Sequence, residues 1–214
     1  MPNMSGNFNT HSEEKAAVKA YLQEMGYNPS ECVVERYGGE NVTDRNMMSA
    51  GDIEATLPDG RKILFEVKQE SYQRFSRWGQ LGIDFISIFH FKRGSYFDKR
   101  VHGSQDFESF MDTVDFNTTD FKWGKIQYST SDVWLFYVKN PDGTYRFMEG
   151  YDYGRIRQVG IVNYLSDNCQ FAVNSKNSYQ MSCNDTWESA VFFANPDIFE
   201  DYLITPEIFA QLGK

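Results

Sequence analysis

Apolar side chains recur at helical spacing through residues 11–25, at Val18, Tyr21, Leu22 and Met25. Thr10 and Glu13 have the spacing of a capping box, and Gly26 suits a helix end. The pattern therefore predicts a first helix over 11–25. Glu14 lies one turn before the apolar set, so it should point roughly toward the buried side.

The clearest pattern lies in residues 52–68, where apolar and polar positions alternate on both sides of a Pro-Asp-Gly turn at 58–60. Asp-Gly between alternating runs is a strong hairpin signal. A three-residue loop sets Asp52 opposite Glu66, whereas a two-residue loop would set it opposite Val67. The apolar alternation on both strands favours the first register. It leaves the odd-numbered face apolar and gathers the charges on the even-numbered face.

Further strands are predicted at Cys32 to Arg36 and Gly82 to Phe91, and a second hairpin joins Val133 to Val138 with Tyr145 to Glu149 around another Pro-Asp-Gly turn. Helices are predicted within 104–115, at 153–165 and from Thr205-Pro206 onward. The pattern at Trp187 to Ala194 does not distinguish strand from helix. This order indicates an α/β (α+β) domain with a mixed β-sheet flanked by helices. We expect a single domain over 1–214, with a core of about 11–150 and a C-terminal extension over 151–214.

Composition narrows the class of protein. Hydrophobic residues make up 41% of the chain, more than a disordered protein carries. No apolar run approaches the ~18 residues that span a bilayer, and residues 1–10 lack the layout of a signal peptide. We therefore expect a soluble, cytoplasmic protein without membrane contact. Three cysteines without C-x-x-C spacing argue against a disulfide framework, and the three histidines have no zinc-site spacing.

The net charge of −9 argues against strong non-specific DNA affinity. The middle of the chain is nevertheless relatively basic, with a cluster at Lys92, Arg93, Lys99, Arg100 and His102. This cluster either contacts phosphates or forms a solvated loop. Trp78, Trp123 and Trp134 could stack on bases, although core packing is the stronger expectation for them.

The charged face of the first hairpin carries the candidate chemistry. Carboxylates at Asp52 and Glu66 would have Cβ atoms about 4.5–5.5 Å apart, and a hard cation relieves their repulsion. Mg²⁺ suits two carboxylates, the Val67 carbonyl and a substrate phosphate, and it activates a water for phosphodiester hydrolysis. Lys68, two residues along the same face, could orient that water or stabilise charge on the phosphate. The alternative is a solvated face with a Glu–Lys ladder.

Gly51-Asp52, a hairpin and then Phe65-Glu66-Val67-Lys68 resemble the PD-(D/E)XK nuclease superfamily, which has the restriction-endonuclease-like fold. The resemblance covers about residues 11–140, and residues 79–86 and 131–133 are similar to small phage-type members. It implies a helix–three strands–helix–strand core. It also implies that Asp52 and Glu66 are metal ligands, that Lys68 is the catalytic lysine, and that Glu14 assists from the first helix, with Glu13 as the competing choice. Gly51 stands where many members have proline.

We therefore expect Mg²⁺-dependent endonuclease-type hydrolysis of DNA, at a site that Mn²⁺ can also fill. RNA as the substrate and a homodimer remain open. The alternative from another class is a non-catalytic binding protein that keeps the nuclease fold, such as an acidic DNA mimic that inhibits a DNA-binding protein.

Overall fold

The computed structural model describes residues 5–37, 51–90, 106–112, 114–117, 121–181 and 185–213. It divides the chain into two compact units. Unit 1 comprises Met1–Gly79, Ser129–Val159 and Pro196–Lys214, and unit 2 comprises Gln80–Tyr128 and Gly160–Asn195. This division differs from the expected core of 11–150 with a C-terminal extension. It does so because the chain leaves unit 1 after Gly79 and returns to it twice.

In chain order the helices and strands are α1 (Ser5–Glu24), β1 (Val33–Arg36), β2 (Ile53–Thr56), β3 (Lys62–Glu70), α2 (Tyr72–Trp78), β4 (Leu81–His90), α3 (Phe107–Met111), β5 (Phe121–Trp123), β6 (Val133–Lys139), β7 (Tyr145–Asp152), α4 (Tyr153–Gln158), α5 (Ile161–Asn168), β8 (Gln170–Met181), β9 (Asp185–Ala194) and α6 (Pro206–Phe209). Short 3₁₀ helices lie at Lys125–Gln127 and Pro196–Tyr202. The mixture of helices and strands confirms the expected α/β class.

Unit 1 is built on a mixed five-stranded sheet in the order β1-β2-β3-β6-β7. Neighbouring strands are antiparallel except β3 and β6, which run parallel. α1 packs on one face of this sheet through Ala17, Val18, Tyr21 and Leu22, and α6 adds Phe209 to the same core. The strands contribute odd-numbered residues to that core, such as Phe65 and Val67, so the predicted apolar face of the hairpin is confirmed.

The predicted register of the first hairpin is confirmed for residues 53–56 and 62–65. Ile53 pairs with Phe65 and Thr56 pairs with Lys62, as a three-residue loop requires. The loop is closed where the Leu57 N–H donates to the Arg61 carbonyl over 2.8 Å. The second Pro-Asp-Gly turn likewise joins β6 to β7.

Unit 2 contains an antiparallel four-stranded sheet in the order β5-β4-β9-β8. A cluster of aromatic rings packs within this unit, with contacts from Phe85 to Phe192 and from Phe107 to Phe171. The candidate third strand of the core, Gly82 to Phe91, is β4 and therefore belongs to this sheet. The third strand beside the hairpin is instead β1. Residues 187–194, left unassigned by their pattern, form part of strand β9.

Three helix predictions need correction in detail. α1 begins at Ser5, so Thr10 lies inside the helix and is not its cap. The helix expected over 153–165 is two helices, because the chain turns at Gly160, where φ is +78°. The expected short helix within 104–115 spans only Phe107–Met111. The final helix is as predicted: the Thr205 side chain accepts a hydrogen bond from the Ile208 N–H. Within the described residues, no helix is both long and apolar enough to cross a membrane.

Candidate functional site

Asp52 immediately precedes β2, and its pairing with β3 departs from the expected alignment with Glu66, because Asp52 and Ile53 both lie opposite Phe65, as in a β-bulge. Its N–H donates to the Phe65 carbonyl over 2.8 Å, and its Oδ2 accepts a hydrogen bond from the Val67 N–H over 3.0 Å. The carboxylate thus takes the place of a main-chain carbonyl at the point where β2 ends. This contact holds the Asp52 carboxylate against the peptide that joins Glu66 to Val67.

Glu66 and Lys68 form an ion pair on the even-numbered face of β3, with Lys68 Nζ 3.3 Å from Glu66 Oε1. The Glu66 side chain is only 3% exposed, whereas that of Lys68 is 29% exposed. A second Lys–Glu pair on the hairpin, Lys62 with Glu54, is 64% and 27% exposed. The buried carboxylate distinguishes the first pair, because a charge removed from water needs a partner that stays close.

The Val67 carbonyl faces the same edge of β3 as the Val67 N–H, because both groups of one strand residue point to the same side. That N–H points at Asp52. The carbonyl therefore opens toward the region that β2 would occupy if it were longer. The Asp52 carboxylate and the Val67 carbonyl thus share this edge, whereas Glu66 and Lys68, the neighbours of Val67 along β3, project from the even-numbered face.

Tyr153 of α4 is an additional neighbour of Glu66 and Lys68, and Arg157 of the same helix lies beside Tyr153. Burial, followed by the negative charge of Glu66, raises the pKa of Tyr153 above its usual range, while Arg157 and Lys68 oppose that shift. The Arg157 guanidinium lies 5.3 Å from the centre of the Tyr153 ring, and Trp134 packs against the same ring at 5.3 Å. Sequence reasoning missed both residues, because they belong to a helix more than 80 positions further along the chain.

Asp132 enters β6 and contacts the other edge of β3. Its Oδ2 accepts from the Leu64 N–H, and its own N–H donates to the Leu64 carbonyl, each over 2.8 Å. Burial is the main cause that raises the pKa of Asp132, and Arg157 opposes the shift. The carboxylate is thereby committed to fixing the β3–β6 pairing, a structural role. Asp84, which could help a second metal on sequence grounds alone, lies on β4 in unit 2.

Gly51 packs where no side chain fits. A Cβ at this position would lie 2.7 Å from both Leu64 Cγ and Ser131 Oγ. Ser131 is buried, and its Oγ is 2.9 Å from that of Ser129. Glycine rather than proline therefore precedes Asp52, because the Leu64 and Ser131 side chains fill that space.

Glu14 lies on the opposite face of the sheet from Glu66. Its Oε2 is 3.0 Å from His11 Nδ1, and its side chain is 14% exposed. Burial and then the charges of Glu13 and Glu14 raise the pKa of Tyr137, which belongs to the core beneath α1. The structure thus places both glutamates near Tyr137, whereas Glu66 and Lys68 project from the other side of β3.

The tryptophan and cysteine residues considered from the sequence differ in how deeply they are buried. Trp134 is buried at 2% exposure and serves the core, whereas Trp78 is 56% exposed. Cys32 and Cys169 are free thiols, as expected, and burial raises the pKa of Cys169 to about 12. The basic cluster at 92–102 and Cys183 lie outside the described residues.

A cavity of about 250 Å³ in unit 1 is formed by other residues: Glu149, Tyr151, Pro196, Asp197, Glu200 and Leu203. Tyr151 donates its hydroxyl hydrogen to Glu149 over 2.5 Å. Three carboxyl groups line this cavity, so it would repel a phosphate rather than bind one.

The donor set on β3 fits Mg²⁺, which prefers oxygen ligands and often keeps several waters beside one or two carboxylates. Asp52 and Glu66 supply the carboxylates, and Val67 supplies a carbonyl. Within the described ranges, no group of three or more His, Cys, Asp or Glu side chains could hold a metal ion. A cation here would therefore rely on two carboxylates, the main chain and water.

Comparisons with protein-family models, with curated proteins and with solved structures found no match to this chain.

Proposed function

We propose that this protein is a Mg²⁺-dependent deoxyribonuclease of the PD-(D/E)XK type that cleaves within DNA. The contact between Asp52 Oδ2 and the Val67 N–H carries the proposal, because it holds a carboxylate against the peptide that joins Glu66 to Val67. An exposed Glu–Lys ladder would leave Glu66 in water, yet this side chain is almost fully buried.

The strand order of unit 1 supports the same proposal. Once unit 2 is set aside, the chain runs α1, β1, β2, β3, α2 and β6, which is a helix, three strands, a helix and a strand. This is the order that the superfamily resemblance implies. β3 and β6 are parallel neighbours in the sheet, and α2 lies between them in sequence.

Each residue then has a distinct part in hydrolysis. A bound Mg²⁺ would supply Lewis-acid stabilisation and lower the pKa of a water. Asp52 and Glu66 would hold it with the Val67 carbonyl. Lys68, the more exposed partner of its ion pair, would orient the attacking water or stabilise charge on the phosphate. Glu14 lies on the opposite face of the sheet beside His11, so the proposal gives it no step in hydrolysis.

Cleavage of plasmid and linear DNA tests the proposal. We expect nicking in Mg²⁺ or Mn²⁺, none in EDTA, and a loss of about 10²-fold or more in Lys68→Ala. Lys62→Ala is the matched control, because it removes a lysine from the same face of β3 and also breaks a Glu–Lys pair. Equal cleavage by wild type and Lys68→Ala would refute the assigned site. Thermal melting checks that both variants are folded.

A non-catalytic binding protein, for example an acidic DNA mimic, is the second candidate. It is favoured by the closed Glu66–Lys68 pair, in which the lysine already neutralises the buried carboxylate, and by the net charge of −9. For this candidate we expect no cleavage with either metal and no change in melting temperature when Mg²⁺ is added. Metal-dependent nicking that depends on Lys68 would exclude it.

A further inference from the structure

α2 is a short helix with a basic and aromatic surface. Its seven residues carry two arginines, three aromatic residues and no acidic residue, in a protein whose net charge is −9. None of its residues is buried. The helix begins after Ser71, whose Oγ accepts from the Arg74 N–H, and ends at Gly79 with φ +64°. Its side chains therefore contribute little to a core and are available at the surface.

α2 is fastened to the face of the sheet that carries Glu66. Arg74 forms an ion pair with Glu70, a buried residue of β3 on the same face. The ring of Phe75 packs 4.8 Å from that of Phe147 on β7. These contacts hold the helix in place independently of Arg77 and Trp78 at its C-terminal end.

Trp78 and Arg77 form an exposed pair. Trp78 is 56% exposed, and the Arg77 guanidinium lies 4.8 Å from the ring centre. The exposed indole therefore offers a stacking surface to a ligand from solution. An unpaired base that stacks on an aromatic ring gains about 1–3 kcal/mol, and arginine beside it is well suited to a phosphate.

Resting on the proposed function, we propose that Arg77 and Trp78 form a binding surface for single-stranded DNA next to the β3 site. Trp78 would stack on an unpaired base, and Arg77 would contact an adjoining phosphate. The chain from Lys68 to Trp78 spans at most about 25 Å, a distance that a few nucleotides cover. Arg146, whose guanidinium lies 5.5 Å from the Tyr72 ring, adds positive charge beside the helix.

Fluorescence anisotropy with a labelled oligothymidylate in EDTA tests this surface without cleavage. We expect Trp78→Ala to weaken binding about tenfold, which corresponds to the loss of one stacked base. Trp78→Phe should keep most of the affinity, because a phenyl ring also stacks. Arg77→Ala should reduce the dependence of log Kd on log salt by about one phosphate contact. A duplex of equal length should bind more weakly than the single strand.

Two controls match these changes. Tyr128→Ala removes another exposed aromatic residue, at 46% exposure. Arg155→Ala removes another exposed arginine that lies over an aromatic ring, that of Tyr202 at 5.5 Å. Both should bind like wild type. The proposed surface is refuted if Trp78→Ala binds oligothymidylate as tightly as Tyr128→Ala does. It is also refuted if the wild-type protein binds oligouridylate more tightly than oligothymidylate, or binds neither oligonucleotide. Binding in EDTA without cleavage in Mg²⁺ would instead overturn the proposed function and leave this surface standing.

Discussion

Asp52 and Asp132 make the same kind of contact on opposite edges of β3. Asp52 accepts a hydrogen bond from the Val67 N–H, and Asp132 accepts one from the Leu64 N–H. Each carboxylate replaces a main-chain acceptor at the end of a neighbouring strand. β3 is therefore fixed from both sides over the segment that presents Glu66.

Substitution of Asp52 should separate its structural and catalytic roles. Asp52→Asn keeps an oxygen for the Val67 N–H but loses the charge, so we expect near wild-type stability and no metal-dependent cleavage. Asp52→Ala should lose cleavage and also about 1–3 kcal/mol of unfolding free energy, because the Val67 N–H is left without that acceptor.

Urea unfolding and plasmid nicking measure the two effects of the Asp52 variants. Asp132→Asn is the matched control, since it removes a charge from the equivalent contact on the other edge and should retain cleavage. Full cleavage by Asp52→Asn would show that the Asp52 charge takes no part in the chemistry.

Glu66→Gln should weaken metal binding at the proposed site. The amide keeps the size of the side chain but is a far poorer ligand for Mg²⁺ than a carboxylate. We expect Mn²⁺ affinity, measured by calorimetry, to fall at least about tenfold. Glu54→Gln, on the same hairpin, should bind Mn²⁺ like wild type. Identical Mn²⁺ binding by wild type and Glu66→Gln would place the cation elsewhere.

Gly51→Ala should destabilise unit 1. The new Cβ would come within 2.7 Å of Leu64 Cγ and Ser131 Oγ. Overpacking of this kind costs about 1–3 kcal/mol, which chemical denaturation detects. Gly154→Ala is the control, because its Cβ would make an ordinary 3.4 Å contact with Asp152. If both variants unfold at the same urea concentration, the space beside Gly51 adapts without cost.

Alkaline pH should destabilise the protein through its buried tyrosines. Burial is the largest cause that raises the pKa of Tyr21, Tyr137, Tyr151 and Tyr153. The folded protein thus keeps phenolic protons that the unfolded chain loses above about pH 10. Their contribution to stability is intact below that pH and is lost as the pH rises through and beyond it.

Tyr153→Phe tests this dependence, because it removes one such proton. The slope of unfolding free energy against pH above about 10 should become shallower by about 1.4 kcal/mol per pH unit. Tyr128→Phe, at an exposed position, should leave the slope unchanged. Urea titrations between pH 8 and 11 give the slopes. Superimposable slopes for wild type and Tyr153→Phe would contradict the buried-phenol account.

The local part of the candidate site could be predicted from the sequence. Alternation and a Pro-Asp-Gly turn are short-range signals, and they predicted the pairing of residues 53–56 with 62–65 correctly, whereas Asp52 lies opposite Phe65 and not Glu66. The neighbours of Glu66 could not be predicted from the sequence, because Trp134 and Tyr153 come close to it only through the parallel pairing of β3 with β6. No local pattern encodes which distant strand will pair. For the same reason β4 resembled a third core strand, although it pairs with β9 in another sheet.

Helix boundaries depended on competing local signals. The spacing of Thr10 and Glu13 matches a capping box, yet α1 continues back to Ser5. At 153–165 the apolar periodicity continues through Gly160, but the positive φ of Gly160 breaks the helix at that residue. The start of the final helix at Thr205-Pro206 was predicted correctly, because a side-chain cap and a proline both act within the first turn of a helix.

The interleaving of the two units has a consequence for biosynthesis. Chains emerge from the ribosome with the N-terminal part first, so the hairpin beside Asp52 is made before the strand that pairs with it. Its partner strand β6 is translated only after all of Gln80–Tyr128. Unit 2 in turn waits for β8 and β9, which follow β7. Neither unit can therefore be completed before the chain has passed through the other, and the sheet around the proposed site is assembled only after β6 and β7 have been made.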